Sequence, residues 1–449
     1  MVCVPPSSWE QCKDYSQYKG PREPKFLRER VQHFYSERVT QNWHGGHIMR
    51  GQHAHASHPY PINLDHNDYL SIANHSVISD AKINAIKEQS NDLLMSAIFL
   101  KGEDNPHRQF ELAMAQHLNM EDALICQSGY VANVGLIQSI ADEHTPVYID
   151  AIAHMSLWEG IKSANADAVR FRHNDAEHLI RQIKQHGPGV IVVDSIYSTN
   201  GSLCPLAIIA TIAEKYECVL VVDESHSLGT HGPNGSGLVA ELNLTDKVHF
   251  ITASLAKAFA SRGGIITCSA RNREYLIFES LPAIFSTAVL PYEVAGYQAA
   301  LNVIQSADER RQCLHDNADF LRGKLLNLGY NVTDSQSQII SLEAGSEQNT
   351  IILRDALQSR GVMGSVFCAP ATAVKRSLVR FCMNAAMTKP ALERMSVICD
   401  VIREQVGMDN WNSTKRLHKQ PVFDNIIPFP RKKRSHAQRT TDTILKQAI

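Results

Sequence analysis

Four short segments carry side chains that could act on one ligand. Ser128-Gly129-Tyr130 follows an apolar run and opens onto a helical pattern, which offers backbone N–H groups to an anion. Asp194 ends a second apolar run and leads into Ser195-Ile196-Tyr197-Ser198. Asp223 ends a third, with His226 three residues later, and Lys257 follows a fourth in Ser254-Leu255-Ala256-Lys257. Taken singly these signals are weak, since strands ending in Asp are common and a lone lysine is usually solvated. Their joint order is specific. An amine, a carboxylate, an imidazole and a phosphate seat are what pyridoxal 5'-phosphate (PLP) requires: a lysine for the Schiff base, an acid to keep the pyridine nitrogen protonated, a donor at the phenolic oxygen and a cup for the phosphate.

The elements that must position these groups are legible as alternating patterns. Candidate strands are Ala123–Gln127, Val147–Ile149, Ala168–Phe171, Gly189–Asp194, Cys218–Asp223, Val248–Ala253 and Gly263–Cys268. Several are continuous Val/Ile/Leu runs, which belong in a sheet covered on both faces. Helical segments such as Ala176–Gln185 and Ile208–Tyr216 lie between them, so the reading is α/β with a mostly parallel seven-stranded sheet. In such sheets ligands sit at the carboxyl ends of the strands, where the four segments fall. The expected organisation is an N-terminal arm over 1–62, a large domain over 63–293, a smaller α+β domain over 294–410 with helices at Arg310–Leu328 and Ala391–Gln405, and a basic, disordered tail over 411–449.

Composition narrows the function classes. The chain has 449 residues and a net charge of -2, which gives no global field for gathering nucleic acid. Ten cysteines without a C-x-x-C pair fit reduced thiols in a cytoplasmic protein better than a disulfide or zinc framework. The first residues lack a signal-peptide pattern, and no apolar run approaches the ~18 residues of a membrane helix. The histidines at 44, 47, 53, 55 and 58 lack a carboxylate or thiolate at ligand spacing, so no metal is expected. Arg431-Lys432-Lys433-Arg434 reads as a solvated charge run.

The motifs N-D-Y-L (Asn67–Leu70), S-G-Y-V-A-N (Ser128–Asn133), A-H-M-S-L-W-E-G around His154, D-S-I-Y-S-T-N-G, D-E-S-H-S-L-G-T-H-G, T-A-S-L-A-K-A, Phe285-Ser286-Thr287 and Arg380 resemble those of the α-oxoamine synthases, fold type I PLP enzymes that condense acyl-CoA with an amino acid. The likeness spans about Leu64 to about Val406. Within that family the chain looks most like the α-hydroxyketone quorum-sensing autoinducer synthases.

The resemblance implies a role for each matching position. Lys257 would form the Schiff base and move protons, Asp223 would pair with the pyridinium nitrogen, and His226 and Ser198 would hydrogen-bond the phenolic oxygen. His154 would stack on the ring. Ser128, Gly129, Tyr130 and Ser254 would contact phosphate or the ring edge, and Ser286 and Thr287 would reach the phosphate of a neighbouring subunit in a homodimer with shared sites. Arg380, with Asn67, would hold the amino-acid carboxylate, which a guanidinium fork matches. The implied reaction joins a medium- or long-chain acyl-CoA to 2-aminobutyrate or S-adenosylmethionine with loss of carbon dioxide, giving an aminoketone precursor of a signal. Other α-oxoamine synthases and PLP aminotransferases are the alternatives; a DNA-binding regulator lacks a helix-turn-helix. Ser71, Ser254 and Met387 stand where this family usually has glycine, threonine and histidine. The first and last leave the amino-acid partner open.

Overall fold

The computed structural model describes residues 24–34, 59–88, 96, 99 and 102–419. The histidine-rich stretch and the Arg431–Arg434 cluster lie outside them. The larger unit begins after a short strand, β1 (Ile62–Leu64), and contains β2 (Asp122–Cys126), β3 (Pro146–Asp150), β4 (Asp167–Phe171), β5 (Val190–Asp194), β6 (Val219–Asp223), β7 (Phe250–Ser254) and β8 (Gly264–Cys268). These seven form one sheet in the order β2-β8-β7-β6-β5-β3-β4. All pairings are parallel except those of β8, which runs antiparallel to both β2 and β7. Each strand expected from the sequence is present.

The continuous apolar runs are explained by burial on two faces. Ile191, Val193, Leu220 and Val222 enter one core cluster. Their neighbours Val190, Val192 and Val221 enter a second cluster on the opposite side. Each such side chain contributes roughly 1.5–3 kcal/mol on leaving water. The covering helices include α1 (Gly129–Ile140), α2 (Met155–Ser163), α3 (Ala176–His186), α4 (Leu206–Lys215), α5 (Ala270–Glu279) and α6 (Leu281–Phe285). The longer α7 (Pro291–Gln305) and α8 (Asp308–Asn327) lead into a second sheet.

That sheet has the order β1-β10-β11-β9, built from β9 (Ile339–Gly345), β10 (Val362–Phe367) and β11 (Ser377–Cys382) together with β1. Two expectations are corrected here. Residues 63 and 64, placed at the start of the large domain, belong to a strand that pairs in parallel with β10 of the smaller sheet. The tail assigned to 411–449 as disordered begins in ordered structure: Trp411 is buried, Asn412–Lys419 is helical, and Arg416 donates to Glu343 of β9 at 2.7 Å. A charged segment read as solvated is anchored by one large aromatic and one ion pair. No described helix is long and apolar enough to cross a membrane.

Candidate active site

The strand register assembles the site. Asp194 and Asp223, the last residues of β5 and β6, lie side by side, and Asp223 lies beside Thr252 in the middle of β7. The Asp223 carboxylate is buried, and it accepts from the Ser225 N–H at 2.8 Å and from Asn133 Nδ2 at 2.6 Å. Lys257 occupies the turn that joins β7 to β8 and is half-buried. Burial lowers its pKa and nearby Arg380 lowers it further, against the attraction of Asp223 and Cys382. An amine depressed in this way is nearer its neutral, nucleophilic form.

His226 is buried, with Nδ1 2.6 Å from the Tyr69 hydroxyl. Its backbone carbonyl accepts from Gln338 at 2.7 Å. Burial, followed by Lys257, Arg380 and His154, drives its pKa well below the ordinary value, so the ring is neutral. His154 caps α2; its backbone N–H donates to Asp194 Oδ2 at 3.0 Å, and its Nδ1 meets Ser156 Oγ at 2.7 Å. The His154 side chain is exposed, with Tyr130 edge-on to it at 6.4 Å between ring centroids. The Asp194 carboxyl is pushed well above its ordinary value, first by burial and then by Asp223.

Arg380 comes from β11 and joins the two sheets. Its Nη1 donates to the Ser198 carbonyl at 2.8 Å and its Nη2 to Asn67 Oδ1 at 3.3 Å, while the guanidinium lies 4.4 Å from the Phe367 ring centre. Its Nε is buried without a hydrogen-bond partner among the described residues. Asn67, Ser198 and Arg380 are therefore together, and a donor is left over beside them.

The N-terminus of α1 makes a cradle. Ser128 caps it, accepting from the Val131 N–H at 3.2 Å, and so keeps its own proton for a ligand. Gly129 is obligatory because a Cβ there would stand 2.5 Å from Ser254 Cβ. Ser254 Oγ accepts from the Ala256 N–H at 3.2 Å and likewise keeps its proton. Ser286 and Thr287 stand apart. Ser286 Oγ donates to the Pro282 carbonyl of its own chain, the Thr287 carbonyl accepts from Gln127 at 2.9 Å, and no hydrogen bond between described residues ties either to Lys257, Asp223 or His226.

This donor set fits PLP. A buried carboxylate, a neutral histidine, an exposed imidazole face, a depressed lysine and a helix N-terminus with two hydroxyl protons to spare match its nitrogen, phenolic oxygen, ring, aldehyde and phosphate. Sequence reasoning missed Tyr69, Asn133, Ser156 and Thr252 as parts of the site. All four lie inside quoted motifs, but their partners are fixed only by folding.

The family model described as aminotransferase class I and II matches residues 60–397. The CAI-1 autoinducer synthase of Vibrio campbellii is 45% identical over 376 residues, 84% of this chain and 94% of that protein. The chain belongs to the aminotransferase class I and II family. A protein assigned as an 8-amino-7-oxononanoate synthase of Halalkalibacterium halodurans is 32% identical over 74% of this chain and 84% of its own. A serine palmitoyltransferase of S. paucimobilis, solved with PLP and myriocin bound, superposes with a TM-score of 0.76 at 24% identity, covering 86% of this chain and 98% of that one, which shows the fold. Within the aminotransferase class I and II family these relatives are α-oxoamine synthases, and the chain is a PLP-dependent enzyme of that branch.

Two departures from the branch pattern meet in this enzyme. Ser71, at φ 54°, and Met387 both line a surface cavity of about 380 Å³ that also takes in His66, Asn384 and Thr388. The Ser71 hydroxyl donates to Asn384 Oδ1 at 3.3 Å. The substitutions thus alter one wall together, beside Asn67.

Proposed function

We propose that the enzyme joins a medium- or long-chain acyl-CoA to an amino acid, 2-aminobutyrate or S-adenosylmethionine, releasing coenzyme A and carbon dioxide and yielding an aminoketone precursor of an α-hydroxyketone signal. The 45% identity to a CAI-1 autoinducer synthase across nearly its whole length carries this reading. The Arg380–Asn67 pair supports it, since a cationic fork with a spare buried donor suits an amino-acid carboxylate.

Bound at this site, PLP supplies an electron sink for charge developing at the amino acid's Cα. The chain does the rest. Asp223 holds the ring nitrogen in its protonated form. His226 and Ser198 face the phenolic oxygen, and His154 stacks on the ring and excludes water. Ser128, Gly129, Tyr130 and Ser254 hold the phosphate and ring edge. The depressed Lys257 amine would take up the Cα proton.

We further propose a homodimer. Tyr130 and Met155 flank the site and are 47% and 52% exposed, and Phe285, which precedes Ser286, is 80% exposed. Apolar groups this open at an active-site rim are suited to cover by a second copy, bringing Ser286 and Thr287 to its phosphate. A cytoplasmic location is part of the same proposal, supported by the proposed acyl-CoA substrate and by eight described cysteines that are all free.

The test is a mass-spectrometric product assay. Acyl-CoAs of graded length are each incubated with glycine, alanine, serine, 2-aminobutyrate or S-adenosylmethionine. Aminoketones from either of the last two support the reading. Products from glycine, alanine or serine alone overturn it in favour of another α-oxoamine synthase.

A further inference from the structure

Asn133 of α1 is 1% exposed and sits at the centre of a buried polar network that the assignments above leave unused. One arm reaches Asp223, whose Oδ2 accepts at 2.6 Å. A carboxylate oxygen only accepts, so the amide atom facing it is the nitrogen. The amide oxygen is then left for Thr252, whose hydroxyl donates to it at 2.6 Å from the neighbouring strand β7. The second arm runs from the same Nδ2 to Ser156 Oγ at 2.8 Å. Having accepted there, Ser156 has one proton left, and His154 Nδ1 lies 2.7 Å away to receive it. The Ser156 backbone N–H points at the same nitrogen from 3.3 Å. A ring nitrogen that receives two donors carries no proton, so His154 holds its proton on Nε2.

We propose that Asn133 is a positioning residue that sets two cofactor contacts at once: directly, the Asp223 carboxylate at the ring nitrogen, and through Ser156, the Nε2–H tautomer of His154 at the ring face. The amide itself touches neither cofactor nor substrate. Thr252 fixes which way round it sits, and an amide is the one neutral side chain that can donate twice while accepting once in this arrangement. The inference rests on the reading of this site as the PLP site.

The test compares wild type with Asn133→Ala and Ser156→Ala. PLP affinity is measured by titrating each apoenzyme. The His154 tautomer is read by nitrogen NMR on imidazole-labelled apoenzyme, its signals being those lost in His154→Gln. Far-ultraviolet circular dichroism checks folding. Asn133→Ala should weaken PLP binding about tenfold, the scale of a hydrogen bond to a charged group, and a second, Nδ1–H set of His154 signals should appear. Ser156→Ala should keep PLP affinity within about threefold of wild type, show the second set of signals, and lower kcat without raising KM. Wild-type tautomer signals in Ser156→Ala overturn the proposal, even where Asn133→Ala does not fold. Wild-type PLP affinity in a folded Asn133→Ala also overturns it. Failure of the wild-type protein to bind PLP overturns the site reading instead.

Discussion

The Tyr69 hydroxyl lies 2.6 Å from His226 Nδ1, and both residues are buried although 157 positions separate them in sequence. The phenol comes from the segment that follows β1 of the smaller sheet, and the imidazole from the loop after β6 of the larger one. The contact occupies one ring nitrogen and leaves Nε2 without a protein partner among the described residues. Tyr69 is itself held un-ionised, its pKa raised well above the ordinary value by burial first and by Cys382 next.

Tyr69→Phe removes that contact together with the longer one that the same hydroxyl makes to Asn67 Oδ1 at 3.3 Å. A single buried hydrogen bond is worth about 1 kcal/mol, so kcat should fall roughly fivefold to tenfold while PLP remains bound. Steady-state kinetics beside a PLP absorbance spectrum checks this. Turnover equal to wild type would show that His226 needs no such support.

Lys257→Ala should leave the fold intact, because the side chain is only half-buried and forms no structural hydrogen bond among the described residues. The absorbance of lysine-linked PLP should vanish and product formation should stop. A variant that still turned over would place the reactive amine elsewhere.

Arg380→Lys keeps the charge and loses the fork. A lysine cannot hold the Ser198 carbonyl and Asn67 together as the guanidinium does. KM for the amino acid should rise at least tenfold, about 1.4 kcal/mol, with KM for acyl-CoA nearly unchanged. Equal rises in both would remove Arg380 from the carboxylate site.

Glu224 makes stability depend on pH. Burial pushes its carboxyl up to about 7, against hydrogen bonds from Val239 and Ser227. Its Oε2 has no partner among the described residues. The folded chain therefore holds a proton that the unfolded chain releases near 4.5, so stability from this group is complete below about 4.5 and is lost as pH rises through about 7. Thermal melts of Glu224→Gln should show a flatter decline across that window than wild type. Parallel curves would mean that the carboxyl is ionised in the fold.

The seven-stranded sheet was readable because its strands are buried on both faces, and two-sided burial writes itself as unbroken apolar runs such as Val190–Val193. The smaller sheet was harder to see. Ile62–Leu64 is three residues long, and its partner Val362–Phe367 lies some three hundred residues away. The chemistry-bearing residues stood out by type, since a lysine or an acid at a strand end is conspicuous. Asn133 and Thr252 did not: an amide within a helix and a hydroxyl within a strand acquire their roles only when α1 settles against β6 and β7. The Ser286 hydroxyl likewise gives no sequence sign of its contact, a donation to the Pro282 carbonyl one turn earlier in its own chain.

The antiparallel course of β8 has a consequence for the lysine. Other loops at this edge lead from a strand into a helix. The Lys257 turn instead closes a hairpin, with Ser254 opposite Gly264 and the Leu255 N–H bonded to the Gly263 carbonyl at 2.9 Å. The reactive amine is thus indexed to the pairing of two strands. One residue inserted between Leu255 and Gly263 would force either a bulge or a slipped pairing, and the amine would turn away from Asp223.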